Sequence, residues 1–154
     1  MTNTIACIEK ADVILITGSN TSENHPVISS FVKRAVAFKG AKLLVVDPRR
    51  IKMTQFADSW LRPKLGTDVA WINGMMNVII AEDLYDKAFV ETRTEDFDAL
   101  KQTVQKYTPD HVEEITGIPG DQLADAARLF AGARAGSILY CMGTTQHTTG
   151  TDNV

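Results

Sequence analysis

The sequence predicts an α/β fold in which helices flank a parallel sheet, and three features lead to this prediction. Residues 12–17 predict a buried strand followed by a turn, because Asp12 opens an unbroken aliphatic run and Gly18 ends it. An amphipathic helix is predicted over residues 27–39, with Gly40 as its C-terminal stop. Residues 43–46 form a second aliphatic run, and two strands joined by one helix require a parallel pairing. The predicted class is therefore a Rossmann-like parallel sheet with flanking helices.

Shorter elements are predicted around this β–α–β unit. Residues 2–10 predict a short helix before the first strand, and residues 51–57 predict a helical turn after the second. Residues 60–61 suggest a short third strand. A long helix is predicted over about residues 68–83, with Thr67 in the position of its N-cap.

The second half of the chain predicts a helical subregion over about residues 86–131. Its four predicted helices span residues 86–92, 94–106, 109–116 and 120–131. Thr94 and Thr108 have the position of N-caps. We interpret this subregion as a helical insertion in one α/β domain over residues 1–154, which covers the sheet or packs on a neighbour. A late strand over residues 136–141 follows it.

Composition narrows the functional classes. The chain has 154 residues, 44% of them hydrophobic, and a net charge of −3, so a general nucleic-acid coat is not expected. No apolar run reaches the length of a membrane span, and a cytoplasmic location is expected, with a periplasmic parent protein left open. The two cysteines, Cys7 and Cys141, are too few for a zinc site or an iron–sulfur cluster. We expect both to be buried core residues.

Four polar segments follow strands or begin helices, and they point to a ligand site. They span residues 18–25, 47–50, 66–68 and 142–147. Because ligands of open α/β sheets bind beyond the carboxyl ends of the strands, these segments are expected to meet at one edge. Small and amide side chains there, with free N–H groups of helix N-termini, suit a nucleotide-like ligand.

Individual side chains at these segments have two interpretations each. Asp47 ends the second strand, where Rossmann-like domains place an acceptor for a ribose or base. Arg49 and Arg50 pair with phosphate oxygens or are solvated charges. Asp68 accepts from the two adjacent donors of a guanine, or it only complements the helix dipole. The segment after Gly18 lacks the G-x-G-x-x-G pattern, which disfavours a plain NAD site.

No catalytic centre is visible in the sequence. His25 and His147 are the candidate acid–base groups, but neither has an evident Asp or Ser partner. Patterns of hydrolases, metalloproteases and P-loop proteins do not occur. The residues alone therefore predict a nucleotide-binding domain, with no catalytic residue and no metal ligand assigned.

Five segments, in order along the chain, resemble the molybdopterin oxidoreductase family, and formate dehydrogenase catalytic (alpha) subunits within it. They are GSNTSENHPV at 18–27, VVDPR at 45–49, GTD at 66–68, LYDKAFV at 84–90 and MGTTQ at 142–146. The resemblance extends over essentially the whole chain.

The resemblance implies a molybdenum or tungsten ion held by two molybdopterin guanine dinucleotides, and oxidation of formate to carbon dioxide. It also implies which residues of this chain bind the cofactor. They are Gly18, Asn20, Glu23, Asn24, His25, Asp47, Pro48, Arg49, Gly66, Asp68, Met142, Gly143 and Gln146.

Family features absent from this sequence imply an internal segment of a larger catalytic subunit. The cysteines of the family's four-iron cluster and the Cys or selenocysteine that ligates the metal do not occur here. We therefore expect a chain that is inactive alone, and whose partners are the rest of that subunit, electron-transfer subunits and formate. Faces that normally pack on neighbours would favour self-association.

Two alternatives remain at this point. One is a stand-alone nucleotide-binding module without catalysis. The other is a segment of another molybdopterin oxidoreductase, such as a nitrate reductase.

Overall fold

The computed structural model describes residues 3–154, and its centre is a four-stranded sheet with strand order β3-β2-β1-β4. The strands are β1 (Val13–Thr17), β2 (Lys42–Val46), β3 (Ser59–Leu61) and β4 (Gly136–Tyr140). Every pairing is parallel, and Leu15 lies between Leu44 on one side and Ile138 on the other. The predicted α/β class with a parallel sheet is confirmed.

Helices connect the strands and form most of the second half. They are α1 (Thr21–Asn24), α2 (Pro26–Lys39), α3 (Asp68–Ala81), α4 (Lys87–Arg93), α5 (Phe97–Val104), α6 (Pro109–Thr116), α7 (Gly120–Ala131) and α8 (Met142–Thr145). Two 3-10 helices span Ile5–Lys10 and Lys52–Phe56. The predicted start of the first helix at residue 2 lies outside the described residues. Gly40 ends α2 in a left-handed conformation, as predicted.

One predicted helix start is wrong. Thr94 is not the N-cap of α5, which begins at Phe97 after Asp96. The Thr94 hydroxyl instead donates to the carbonyl of Val90 at 2.7 Å and closes α4. A threonine hydroxyl serves either end of a helix, so sequence position alone did not distinguish them. Thr108 is confirmed as the N-cap of α6, since its Oγ1 accepts from the backbone N–H of His111.

Each face of the sheet has its own hydrophobic core. On one face, α2 and the first 3-10 helix pack on Ile14, Ile16 and Leu43, all of them buried. On the other face, α3, α6 and α7 bury Leu123 and Trp71 against the alternate strand residues. Because strand side chains alternate between faces, one aliphatic run supplies both cores. The helical subregion thus contributes α6 and α7 to the covering of the sheet.

The two cysteines are not core residues, contrary to expectation. Cys7 is exposed and lies 3.2 Å from the Thr4 hydroxyl, and Cys141 is half-buried. The 3-10 helix turns Ile8 inward and leaves its neighbour Cys7 in solvent. None of the helices within residues 3–154 combines the length and the apolar character needed to cross a membrane.

Candidate functional site

A cleft with a volume of about 240 Å³ opens at the carboxyl ends of the strands. Residues that follow all four strands form it, so the predicted meeting of these segments is observed. The lining residues are Thr17, Gly18, Val46, Asp47, Pro48, Arg49, Pro63, Lys64, Leu65, Gly66, Asp68, Gly143 and His147. Of the thirteen sequence-derived site residues, Gly18, Asp47, Pro48, Arg49, Gly66, Asp68 and Gly143 are among them.

The floor of the cleft is a close approach of two glycines. Gly18 has φ +59°, and a Cβ there would collide with the backbone of Thr144. A Cβ on Gly143 would lie 2.7 Å from the Cα of Gly18. Both positions therefore require glycine, because the backbone after β1 touches the backbone after β4.

Asp47 forms the wall next to β2 and is 3% exposed. Its Oδ1 accepts from the backbone N–H of Arg49 at 2.8 Å, and the Arg49 Nε lies 3.5 Å away. The main-chain carbonyl of Asp47 accepts from the indole N–H of Trp60 at 2.8 Å. The Arg62 Nε donates to the carbonyl of Pro48 at 3.0 Å. The turn after β2 is thus stabilised by the side chains of Trp60 and Arg62 and by the bond between the Asp47 carboxylate and the backbone of Arg49.

Asp68 also lines the cleft, as the first residue of α3 and near the positive end of the helix dipole. Its Oδ1 lies 3.4 Å from the indole Nε1 of Trp71. Thr67 has the N-cap position, as expected, but its side chain makes no capping bond and donates to the carbonyl of Lys64 at 2.7 Å. Gly66 has φ +76°, which lets the chain turn into α3.

Six sequence-derived site residues lie outside the lining of the cleft. They are Asn20, Glu23, Asn24, His25, Met142 and Gln146. The Asn20 amide donates to Glu23 Oε2 at 2.8 Å, and Lys52 lies 3.7 Å from the other Glu23 oxygen. The His25 Nε2 lies 3.6 Å from the Cys141 Sγ. Among the described residues, Asn20 Oδ1 is buried and has no hydrogen-bond partner.

The polar segments after β1 and β4 are also more regular than the sequence suggested. Each contains one helical turn, α1 and α8 respectively. Such turns are too short for a hydrophobic period, so the residue pattern resembles a loop. Asn20 and Gln146 flank these turns, and neither lines the cleft.

The sequence interpretation missed several lining residues. Lys64 and Leu65 enter the cleft because the chain after β3 crosses its rim before α3 begins. His147 belongs to the predicted polar segment 142–147 and is a candidate acid–base group, but it is not among the residues assigned to cofactor binding; its Nε2 lies 2.7 Å from the carbonyl of Gly143. The position of Lys64 four residues before the predicted helix start at residue 68 was a usable signal. Within residues 3–154, no three His, Cys, Asp or Glu side chains come together in a way that would hold a metal ion.

Comparisons with known proteins agree over the whole chain. The family model described as Molybdopterin oxidoreductase matches residues 1–154. The "F420-dependent formate dehydrogenase subunit alpha" of Methanocaldococcus jannaschii is 48% identical over 154 residues, which are 100% of this chain and 23% of that protein. "Formate dehydrogenase H" of Escherichia coli is 41% identical over 154 residues, 100% of this chain and 21% of that protein.

A solved structure supports the fold independently. The structure of "Acetylene Hydratase from Pelobacter acetylenicus" superposes with a TM-score of 0.82 at 38% identity, covering 91% of this chain and 21% of that chain. The chain spans less than a quarter of the length of the curated relatives it matches.

Proposed function

The chain belongs to the molybdopterin oxidoreductase family, and on that premise we propose that it is the guanine-dinucleotide-binding part of a formate dehydrogenase catalytic subunit. The observation that carries the proposal is the cleft where all four strand ends meet. The names of the relatives, which are formate dehydrogenases at 41–48% identity, favour this member of the family over a nitrate reductase.

The side chains of the cleft suit the parts of a nucleotide. The carboxylate of Asp68 offers two acceptor oxygens, which match the adjacent N1–H and exocyclic amine of guanine. Asp47 sits where the acceptor for a ribose or base is expected in such sheets. Arg49 and Lys64 line the cleft and supply positive charge for phosphate oxygens.

The segment after β1 fits a bound group beyond the nucleotide. The buried Asn20 Oδ1, without a partner among the described residues, is an acceptor that a ligand donor would satisfy. Asn20, Glu23, Asn24 and His25 would line one dinucleotide, and Met142, Gly143 and Gln146 would approach its pterin end beside the Gly18–Gly143 contact.

The chemistry of the whole subunit rests on the bound group. When bound, the molybdenum or tungsten cofactor supplies the two-electron oxidation of formate to carbon dioxide. A four-iron cluster would be held by parts of the parent enzyme outside these 154 residues, because such a cluster takes four thiolates and this sequence has two cysteines. Electron-transfer subunits would be further partners of that enzyme. We therefore expect no formate oxidation by the 154-residue chain alone.

Titration calorimetry with guanosine diphosphate tests the binding role directly. Asp68→Asn should weaken binding about tenfold or more, since the amide presents one acceptor and one donor where guanine requires two acceptors. Asp110→Asn is the matched control, because Asp110 also lies in the first turn of a helix but does not line the cleft.

Three outcomes would contradict the proposal. Absence of guanosine diphosphate binding by the unmodified chain at millimolar ligand would remove the nucleotide site. Equal losses in Asp68→Asn and Asp110→Asn would move the site away from the cleft. A dye-reduction assay with formate that shows turnover by this chain alone would contradict the division of labour with the parent enzyme.

A further inference from the structure

Both tryptophans of the sequence direct their indole N–H groups at an aspartate of the cleft. Trp60 reaches the main-chain carbonyl of Asp47, whereas Trp71 reaches a carboxylate oxygen of Asp68. We propose that Trp71 is a positioning residue that sets the preference for guanine by orienting Asp68. This inference rests on the proposed nucleotide site and deepens it.

Trp71 is held too firmly to follow Asp68 if the carboxylate turns. Its side chain is 2% exposed and packs in the core with Leu15, Met75 and Leu123. It lies one helical turn after Asp68, so the two side chains share a face of α3. The indole is therefore a fixed donor at 3.4 Å from Asp68 Oδ1.

A fixed donor on one oxygen restricts rotation of the carboxylate. Each carboxylate oxygen has two acceptor sites, so Oδ1 retains one for a ligand while it contacts Trp71. Guanine presents two donors in one plane, and both bonds form only when the carboxylate lies in that plane. Hypoxanthine, which lacks the exocyclic amine, makes a single bond and tolerates rotation. Loss of the indole N–H should therefore reduce guanine binding more than hypoxanthine binding.

Trp60 provides a contrast within the same cleft. Its indole holds the main chain of Asp47 rather than a carboxylate, and Arg62 supports the same turn through Pro48. Its removal should weaken the binding of guanosine and inosine diphosphates alike, because the two differ only in the exocyclic amine, which the proposed site assigns to Asp68.

The experiment compares the affinity of the 154-residue chain for guanosine and inosine diphosphates by calorimetry. Trp71→Phe keeps most of the ring but removes the N–H. We expect it to lower the affinity for guanosine diphosphate about two- to tenfold, the range of one lost hydrogen bond, and the affinity for inosine diphosphate less than about twofold. Trp60→Phe should leave the ratio of the two affinities unchanged. Val78→Ala, a core change on the same helix, is the control for destabilisation alone and should also leave the ratio unchanged.

A second measurement applies even if Trp71→Phe does not fold. The unmodified chain has two indole N–H resonances, and Trp60→Phe leaves only that of Trp71. Guanosine diphosphate should shift the Trp71 resonance more than inosine diphosphate does.

The outcomes separate the inference from its premise. If the unmodified chain binds neither diphosphate, the proposed function fails. If it binds both equally, the assignment of Asp68 to guanine is wrong, and the role of Trp71 fails with it. If it prefers guanosine diphosphate, an unchanged ratio in Trp71→Phe, or equal resonance shifts with both ligands, overturns the inference alone.

Discussion

The backbone N–H of Gly143 donates to the carbonyl oxygen of Gly18 at 3.0 Å, and this bond joins the segments that follow β4 and β1. The two strands are neighbours in the sheet although the helical subregion separates them in sequence. The contact sets the floor of the cleft, and it leaves no space for a side chain at either glycine.

Gly18→Ala should destabilise the fold more than an ordinary glycine replacement. The left-handed conformation alone costs about 1–2 kcal/mol for a residue with a Cβ, and overpacking against Thr144 adds about 1–3 kcal/mol. Gly40→Ala is the matched control, because Gly40 has φ +74° but open space around it. Urea unfolding monitored by circular dichroism measures both. Equal losses in the two variants would show that the close approach adds nothing.

Leu123→Ala should lower the free energy of unfolding by about 2–5 kcal/mol, since it opens a cavity in the core between α7, α3 and the sheet. Leu100→Ala, at a position that is 37% exposed, should cost much less.

Calorimetry should give one cooperative transition for the unmodified chain if residues 1–154 are a single domain. Two resolved transitions would mean that the helical subregion is a separate unit.

Self-association remains a prediction, and the surface beside β4 is where we expect it. Ile138 is 54% and Tyr140 51% exposed, and they flank an apolar groove with Met76 and Ile79. Ile138→Lys should shift the chain toward monomer in sedimentation velocity, because it places a charge on that groove. Phe38→Lys, at an exposed position on α2, is the control. A monomeric unmodified chain at 100 µM, taken as roughly the upper range for weak association, would contradict the prediction.

Acid should weaken the ion pair between Lys42 at the start of β2 and Asp58 just before β3. Burial raises the pKa of Asp58, but hydrogen bonds from Lys42 and from the backbone N–H of Leu43 outweigh it and hold this pKa below its usual range. Because the folded pKa lies below the unfolded value of about 3.9, the contribution is complete above that pH and is lost as pH falls through the folded pKa.

Asp58→Asn therefore should be less stable than the unmodified chain at pH 7, and the difference should shrink below about pH 4. Urea unfolding at a series of pH values measures this. Lys42→Gln removes one of the two partners and should reduce the acid sensitivity less, because the backbone N–H of Leu43 still donates to Asp58. A difference that stays constant from pH 7 to about pH 3 would exclude the ion pair as its cause.

Much of the fold was accessible from local patterns. The strand at Val13–Thr17 coincides with an aliphatic run bounded by Asp12 and Gly18. Helix α2 coincides with an amphipathic pattern of helical period between Pro26 and Gly40. These patterns depend only on residues close together in sequence, so they can be recognised without knowledge of the rest of the chain. The predicted N-cap at Thr94 was wrong for the same reason. A threonine that caps the start of one helix and a threonine that ends another can stand in the same local sequence.

The candidate site was accessible only in part. Asp47, Gly66 and Asp68 stand next to predicted strand or helix ends, and they line the cleft as expected. Asn20 and His25 also follow a strand, but they flank the single helical turn α1 and neither lines the cleft. A turn of four residues has too little length for periodicity to indicate it.

The amino-acid sequence by itself determined the kind and order of the elements and the parallel direction of the strands, because periodicity, helix ends and short connections are local properties. Only the tertiary structure decided that β4 lies beside β1, and with it that Gly143 meets Gly18 and that His147 enters the cleft. It likewise decided that the indole of Trp60 on β3 supports the main chain of Asp47. Such contacts depend on the packing of residues distant in sequence, which a local pattern does not contain.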